Sequence, residues 1–344
     1  MKAWKKVLVS ATAVAAFAGT LEARDQIKIV GSSTVYPFSS YVAEELGATT
    51  KFPTPVIEST GSGGGMKLFC EGNGLDTPDF TNASRAMKEK EFKTCQENGV
   101  TDITGAIIGY DGIAIAQSKV NPDVELTREE LLLAVASDVP GKDGKLIANP
   151  YKKWSDINPK LPNREIKVYG PPATSGTRDA FEELVMEKTS KTMDAYGKKK
   201  YSNIRQDGVY VPSGENDNLI VQKLVQDKAA IGIFGYSFLE ENSDKIKAAK
   251  VDGYLPTPET VSSGVYPVSR SLFFYIKNSH KKDVPAMDAY IKLFMSEQMI
   301  GDKGVLKTIG LIPLGKDLRE KAQKSVLSGK KLTLDMVKNH TVVK

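Results

Sequence analysis

The sequence predicts an α/β protein of two lobes, and three observations carry that expectation. Strand-like and helix-like segments alternate from Asp25 onward, the pattern of helices covering mostly parallel sheets. The chain has 344 residues, more than one domain of roughly 100–200 residues needs. Three of its strand-to-helix turns are built from Ser, Thr and Gly. With 40% hydrophobic and 26% charged residues, the composition excludes collagen-like, coiled-coil and wholly disordered chains.

Taken in order, residues 27–30 form a short apolar run bounded by Gly31 and read as a strand. Val35, Phe38, Tyr41, Val42 and Leu46 recur at helical spacing, with Ser33 or Thr34 as N-cap and Pro37 in the first turn. Val56 and Ile57 end a second strand, and a helix carrying Met66, Phe69 and Cys70 follows the glycines. A short strand over 79–81 precedes a helix over 89–98, which Gly99 stops. Residues 104–116 are rich in Ile and Gly without helical period and read as extended chain.

Thr127 to Glu130 is a capping box in front of the apolar residues 131–135. A strand over 166–169 leads to a helix that starts near Thr177 and presents Phe181, Leu184 and Val185 on one face. Leu219, Ile220, Leu224 and Val225 mark the next helix face, before a strand over 230–234. A late aromatic strand covers 271–277, and helices follow near 290–295, 305–309 and 318–325. The extended segments at 107–116 and 254–274 are candidates for crossings between lobes.

The first residues are not part of this fold. Lys2, Lys5 and Lys6 precede an apolar run from Val7 to Ala18 and small residues ending at Ala23, which reads as a secretory signal peptide over 1–23. The run is shorter than the ~20 residues that span a bilayer. Removing its three lysines and Glu22 takes the formal net charge from +5 to +3. That small charge, with short basic runs at Lys198–Lys200 and Lys330–Lys331, does not point to nucleic acid. Export favours a disulfide between the two cysteines, Cys70 and Cys95, over free thiols or metal ligation. Neither His280 nor His340, the two histidines, lies near a Cys, Asp or Glu cluster, so no metal and no cofactor is expected.

The chemistry gathers at three turns: Ser32-Ser33-Thr34 after Gly31, Ser59 to Gly65, and Thr174-Ser175-Gly176-Thr177 after Gly170. A helix N-terminus leaves up to four N–H groups unpaired and carries roughly half a positive charge. Glycines admit a ligand to that backbone and hydroxyls add donors, so each turn is suited to an anion. Arg85 follows Asn82-Ala83-Ser84, and Arg178 follows Thr177; a guanidinium matches oxyanion geometry, although Glu182 is also a helical-spacing partner for Arg178. No phosphate-binding Gly-x-x-x-x-Gly-Lys-Ser/Thr loop, serine elbow with a triad or converging carboxylate pair accompanies these turns. A site that binds an anion and leaves it unchanged is expected, so the chain is read as no enzyme. The alternatives are a secreted phosphatase-like enzyme, which needs a base or metal, and an adhesion or scaffold protein that keeps the fold without the site.

At these residues the sequence resembles the phosphate-binding proteins of ABC-type phosphate transporters, in the periplasmic binding protein superfamily. The likeness rests on the segments 31–37, 59–65, 82–85 and 174–178, with Ala230 to Tyr236 and Gly310 to Leu314. It implies a type II-like fold of two α/β lobes, 24–110 with 255–344 and then 111–254, joined by a hinge around a ligand cleft. Ser33, Thr34 and Val35 would supply the first helix N-terminus, Ser62 the second, and Ser175, Gly176 and Thr177 the third, with Ser84, Arg85 and Arg178 as further phosphate contacts. Two departures stand out: Pro171 occupies the place of an Arg found in many members, and the segment Ala83-Ser84-Arg85 lacks their Asp. The acceptor for a phosphate proton is therefore sought among Asp179, Asp217 and Glu58. The resemblance implies a periplasmic, monomeric receptor that passes inorganic phosphate to membrane permease subunits; sulfate or molybdate is the nearest alternative ligand.

Overall fold

A computed structural model describes residues 24–214 and 217–343. The signal peptide expected over 1–23 lies outside the described residues. Among them, nine strands share one sheet: β1 (Lys28–Gly31), β2 (Val56–Ser59), β3 (Phe80–Ala83), β4 (Ile103–Ser118), β5 (Val168–Gly170), β6 (Tyr210–Pro212), β7 (Ile231–Gly235), β8 (Ile246–Ala248) and β9 (Ser269–Lys277). Their order is β2-β1-β3-β9-β4-β7-β5-β6, with β8 also paired to β4. Strand β1 is parallel to β2 and β3, and β5 is parallel to β6 and β7; β4 and β9 run antiparallel between these two groups.

The crossing expected at 107–116 is strand β4. Its residues 103–112 pair with β9 and residues 113–117 with β7, so one strand belongs to both halves of the sheet. Of its 16 residues only Asp111 is not fully buried, as fits a strand of Ile, Ala and Gly covered on both faces. The second crossing, expected over 254–274, is strand only from Ser269; Pro258–Ser262 within it is a short helix.

Three local expectations need correction, each for a physical reason. Helix α1 (Tyr36–Thr49) has Val35 at its N-cap in place of Ser33 or Thr34, because Ser32 closes the turn: its carbonyl accepts the Tyr36 N–H and its Oγ the Val35 N–H at 3.4 Å. Helix α2 (Gly61–Phe69) contains the glycine run and does not follow it. Gly65 there lies so close to β1 and β3 that a Cβ would fall 2.5 Å from Gly31 Cα and 2.6 Å from Thr81 Oγ1. Strand β2 begins at Val56 and runs on to Ser59, where it was expected to end at Ile57.

Helix α3 (Glu89–Glu97) stops before Gly99, whose φ of +81° favours glycine. Helix α4 (Gly176–Phe181) continues through a π-helical turn, Glu182–Glu187, into Lys188–Ser190. Helix α5 (Asp217–Gln226) buries Ile220, Val221 and Leu224 under β7, while Leu219 and Val225, expected on the same face, are exposed.

Cys70, at the end of α2, and Cys95, in α3, form a disulfide. Closing a loop of this length removes unfolded-state entropy worth about 3 kcal/mol. Reductant should therefore lower the thermal midpoint of the purified protein; an unchanged midpoint in protein whose thiols are shown to be free would contradict that contribution.

Candidate anion-binding site

The turns singled out in the sequence all leave the carboxyl ends of strands, where parallel α/β sheets bind ligands. Gly31 ends β1, Ser59 ends β2, Ala83 ends β3 and Gly170 ends β5. Gly31 allows the first turn: its φ is +127° and a Cβ would meet the Asn82 carbonyl oxygen at 2.2 Å. The turn stays tied to β3 here, with the Ser32 N–H donating to the Asn82 carbonyl at 3.0 Å.

The hydroxyls are linked to one another. Ser62 Oγ lies 3.1 Å from Ser84 Oγ and accepts the Ser84 N–H at 3.0 Å, so the second of the three turns meets the segment 82–85, a fourth motif. The first meets the third across the cleft: Thr34 Oγ1 donates to the Gly176 carbonyl at 3.5 Å, and Ser33 Oγ donates to Asp179. Ser175 caps α4 by accepting the Thr177 N–H at 3.2 Å. Ser33, Thr34, Ser175, Gly176 and Thr177 line one cavity, joined on its wall by Asp111 and Asp217.

Each of the two arginines picked out in the sequence has a glutamate partner. Arg85 makes a two-pronged pair with Glu91, at 2.9 and 2.6 Å. Arg178 donates to Glu182 at 2.6 Å and lies 4.7 Å from the Tyr210 ring centroid, a cation–π contact. Burial holds the Glu182 carboxyl above its ordinary pKa, and Arg178 pulls against that shift. Tyr210 Oη and, at 3.5 Å, Arg178 Nη1 both donate to the Pro171 carbonyl, so this pair fixes the loop in front of the third motif.

Of the carboxylates, Asp179 is occupied by Ser33 and Glu58 sits exposed on β2. Asp217 is buried, lines the cavity and accepts the Gly235 N–H at 2.9 Å.

Sequence reasoning missed Arg270 and Asp111. They are register partners on β9 and β4, with Arg270 Nε 3.3 Å from Asp111 Oδ2. Burial raises the Asp111 carboxyl above its ordinary pKa, and Arg270 opposes that shift. Arg270 also donates to Ser84 Oγ at 3.2 Å, to Thr34 Oγ1, to the Gly176 carbonyl at 3.4 Å and to Glu183 at 2.9 Å. A signal existed: Asp111 is the one charged residue in β4, and a charge in so apolar a strand requires a partner.

A profile of the PBP superfamily domain matches residues 18–298. The chain belongs to that superfamily. Among curated members, it is 31% identical over 279 residues to the phosphate-binding protein PstS of Staphylococcus saprophyticus, covering 79% of this chain and 76% of that one. It is 29% identical over 290 residues to Protein SphX of Synechococcus elongatus, covering 83% and 76%. The crystal structure of a possible phosphate binding protein from Planctomyces limnophilus superposes with a TM-score of 0.73 at 31% identity, over 89% of this chain and 99% of that one. The mixed α/β architecture described above is the two-lobe fold of this superfamily.

Within that fold Gly176 has a specific duty. A Cβ at this position would lie 3.0 Å from both the Ser33 carbonyl oxygen and Thr34 Cα, which are backbone atoms across the cleft. Gly176→Ala should leave folding intact and hold the two walls apart, weakening anion binding about 10-fold or more. Calorimetric titration with a thermal melt checks this; unchanged affinity would show that the walls need not approach so closely.

Proposed function

We propose that this chain is a periplasmic receptor that binds inorganic phosphate between two lobes and hands it to the permease of an ABC-type transporter. The observation that carries the reading is the meeting of the Ser33-Thr34 and Ser175-Gly176-Thr177 turns, from opposite halves of the sheet, on one cavity, in a chain with a curated relative named for phosphate binding. A tetrahedral oxyanion removed from water needs donors on every side. Ser33, Thr34, the Val35 N–H, Ser62 and Ser84 would supply them from one wall, and Ser175, Gly176 and Thr177 from the other. Arg85 and Arg178, each engaged by a glutamate, would add charge from behind these groups.

On this reading the lobes are 24–110 with 255–344, and 111–254, and β4 and β9 form the hinge region. The leader over 1–23 directs export, and the mature chain works as a monomer. It acts as a receptor and not as an enzyme. His280 is buried against Asp79 and the Asn73 carbonyl, away from the cleft, and the carboxylate that meets a motif hydroxyl, Asp179 beside Ser33, is read as orienting it.

Titration of the mature protein against phosphate, sulfate and molybdate tests the ligand. Tight binding of phosphate supports the reading; preference for another oxyanion replaces it with that ligand. Small-angle scattering should give a smaller radius of gyration with phosphate bound, and an unchanged radius despite tight binding would argue against hinge closure. Phosphate release without added metal, surviving chelation by EDTA, would overturn the assignment as a receptor.

A further inference from the structure

We propose that Arg270, a residue outside every turn motif, is the positioning residue of the anion site, fixing the Thr34 and Ser84 hydroxyls of one wall against the Gly176 carbonyl of the other. This rests on the oxyanion-receptor reading above and adds to it a role carried by a strand.

The geometry supports one guanidinium serving several motifs at once. The Arg270 side chain is 7% exposed, and its donors reach Thr34 from the first motif, Ser84 from the fourth and the Gly176 carbonyl from the third. Ser62 joins through Ser84. Arg carries five donors in a rigid fork and accepts none. A hydroxyl that accepts from such a donor must turn its own proton elsewhere. Thr34 accordingly donates to the Gly176 carbonyl, and Ser84 is left to donate away from the guanidinium. A hydroxyl polarised by a cation also donates more strongly.

The fork is held from two sides. Asp111 fixes Nε from the paired strand β4, and Glu183 meets Nη1 from the π-helical turn that continues α4. Glu183 thus connects β9 to the segment bearing Ser175, Gly176 and Thr177. A π-turn shifts the helical register by one residue, and such turns recur at functional sites. The arrangement sets the orientation of the hydroxyls to depend on both walls of the cleft.

Lysine in place of arginine keeps the charge and loses the fork, so it separates positioning from charge. Arg270→Lys should weaken phosphate binding about 10-fold, and Arg270→Ala by about 10–150-fold, the range expected for charge-assisted hydrogen bonds. Millimolar guanidinium should restore part of the Arg270→Ala loss where sodium chloride of equal ionic strength does not. Lys199→Ala, in an exposed basic run, is the control and should bind like wild type. Should Arg270→Ala fail to fold by circular dichroism, Arg270→Lys decides.

If the wild type binds phosphate and both variants match it, this inference falls while the receptor reading stands. Weakening that tracks a fall in melting temperature, without guanidinium rescue, also overturns it, in favour of a structural role. If the wild type prefers sulfate or molybdate, the phosphate reading falls and the same comparison with that anion decides Arg270. A wild type that binds none of the three removes both.

Discussion

Gly31→Ala is expected to destabilise the protein by about 3–5 kcal/mol and to abolish anion binding at the temperatures where the wild type is folded. Two costs add. The φ of +127° lies where L side chains rarely go, and strain of this kind is worth about 1–3 kcal/mol. The new Cβ would also fall 2.2 Å from the Asn82 carbonyl oxygen and 2.8 Å from its nitrogen. Those are backbone atoms of β3 and cannot swing aside as a side-chain tip would. Relief requires β1 and β3 to part, and they carry the first and fourth motifs. Denaturant unfolding measures the stability loss. A loss below about 1 kcal/mol would show that the turn relaxes locally, and the geometric argument for Gly31 would fail.

Gly31 also shows which parts of the molecule are legible in sequence. A glycine that ends an apolar run and opens a Ser/Thr turn announces strand, turn and helix, because each residue type suits its own backbone conformation. The three turns and the strands before them are therefore readable, as is the capping box at Thr127, where Thr127 Oγ1 accepts the Glu130 N–H and a Glu130 carboxylate oxygen accepts the Thr127 N–H. What misled was local chemistry settled by tertiary contact. Ser33 and Thr34 look like N-caps, yet Ser32 takes the capping duty and their hydroxyls face the opposite wall. The glycines of residues 61–65 look like a loop, yet they begin a helix because Gly65 must pack directly on β1 and β3.

Arg85 and Arg178 drew notice through their place beside the motifs, but nearness in sequence says nothing of the partner a side chain finds. Glu91 and Glu182 lie six and four residues away and face the two guanidinium groups. The reverse holds for Arg270. It is far from every motif in sequence, and strand pairing alone brings it beside Asp111 and on to Thr34, Ser84 and Gly176. A contact separated by 236 residues leaves no local pattern. It was accessible only through the question of what neutralises a lone Asp in an apolar strand.

The wild type is expected to prefer phosphate to sulfate by at least ~10³-fold, and Asp217→Asn to remove most of that preference. Both anions are tetrahedral, and hydroxyls with helix N-termini would hold either. The difference is a proton: near neutral pH phosphate keeps at least one, and sulfate keeps none. A buried carboxylate on the wall welcomes that proton and repels an oxygen that lacks it, and sites built on such a hydrogen bond reject the deficient analogue by ~10⁴–10⁵. Of the three carboxylates drawn from the sequence, Asp217 suits this task best. Glu58 is exposed on β2 and Asp179 accepts the Ser33 hydroxyl, whereas Asp217 is buried and lines the cavity with Ser175, Gly176 and Thr177. The Gly235 N–H donates to it at 2.9 Å. Asparagine keeps the shape and turns an acceptor into a donor, so sulfate should gain affinity while phosphate loses it. Paired calorimetric titrations of wild type, Asp217→Asn and Asp179→Asn against both anions give the two ratios directly. A ratio that collapses in Asp217→Asn alone assigns the acceptor. An unchanged ratio there, with the fold intact, rules Asp217 out, and equal affinity of the wild type for the two anions would leave a receptor for oxyanions in general.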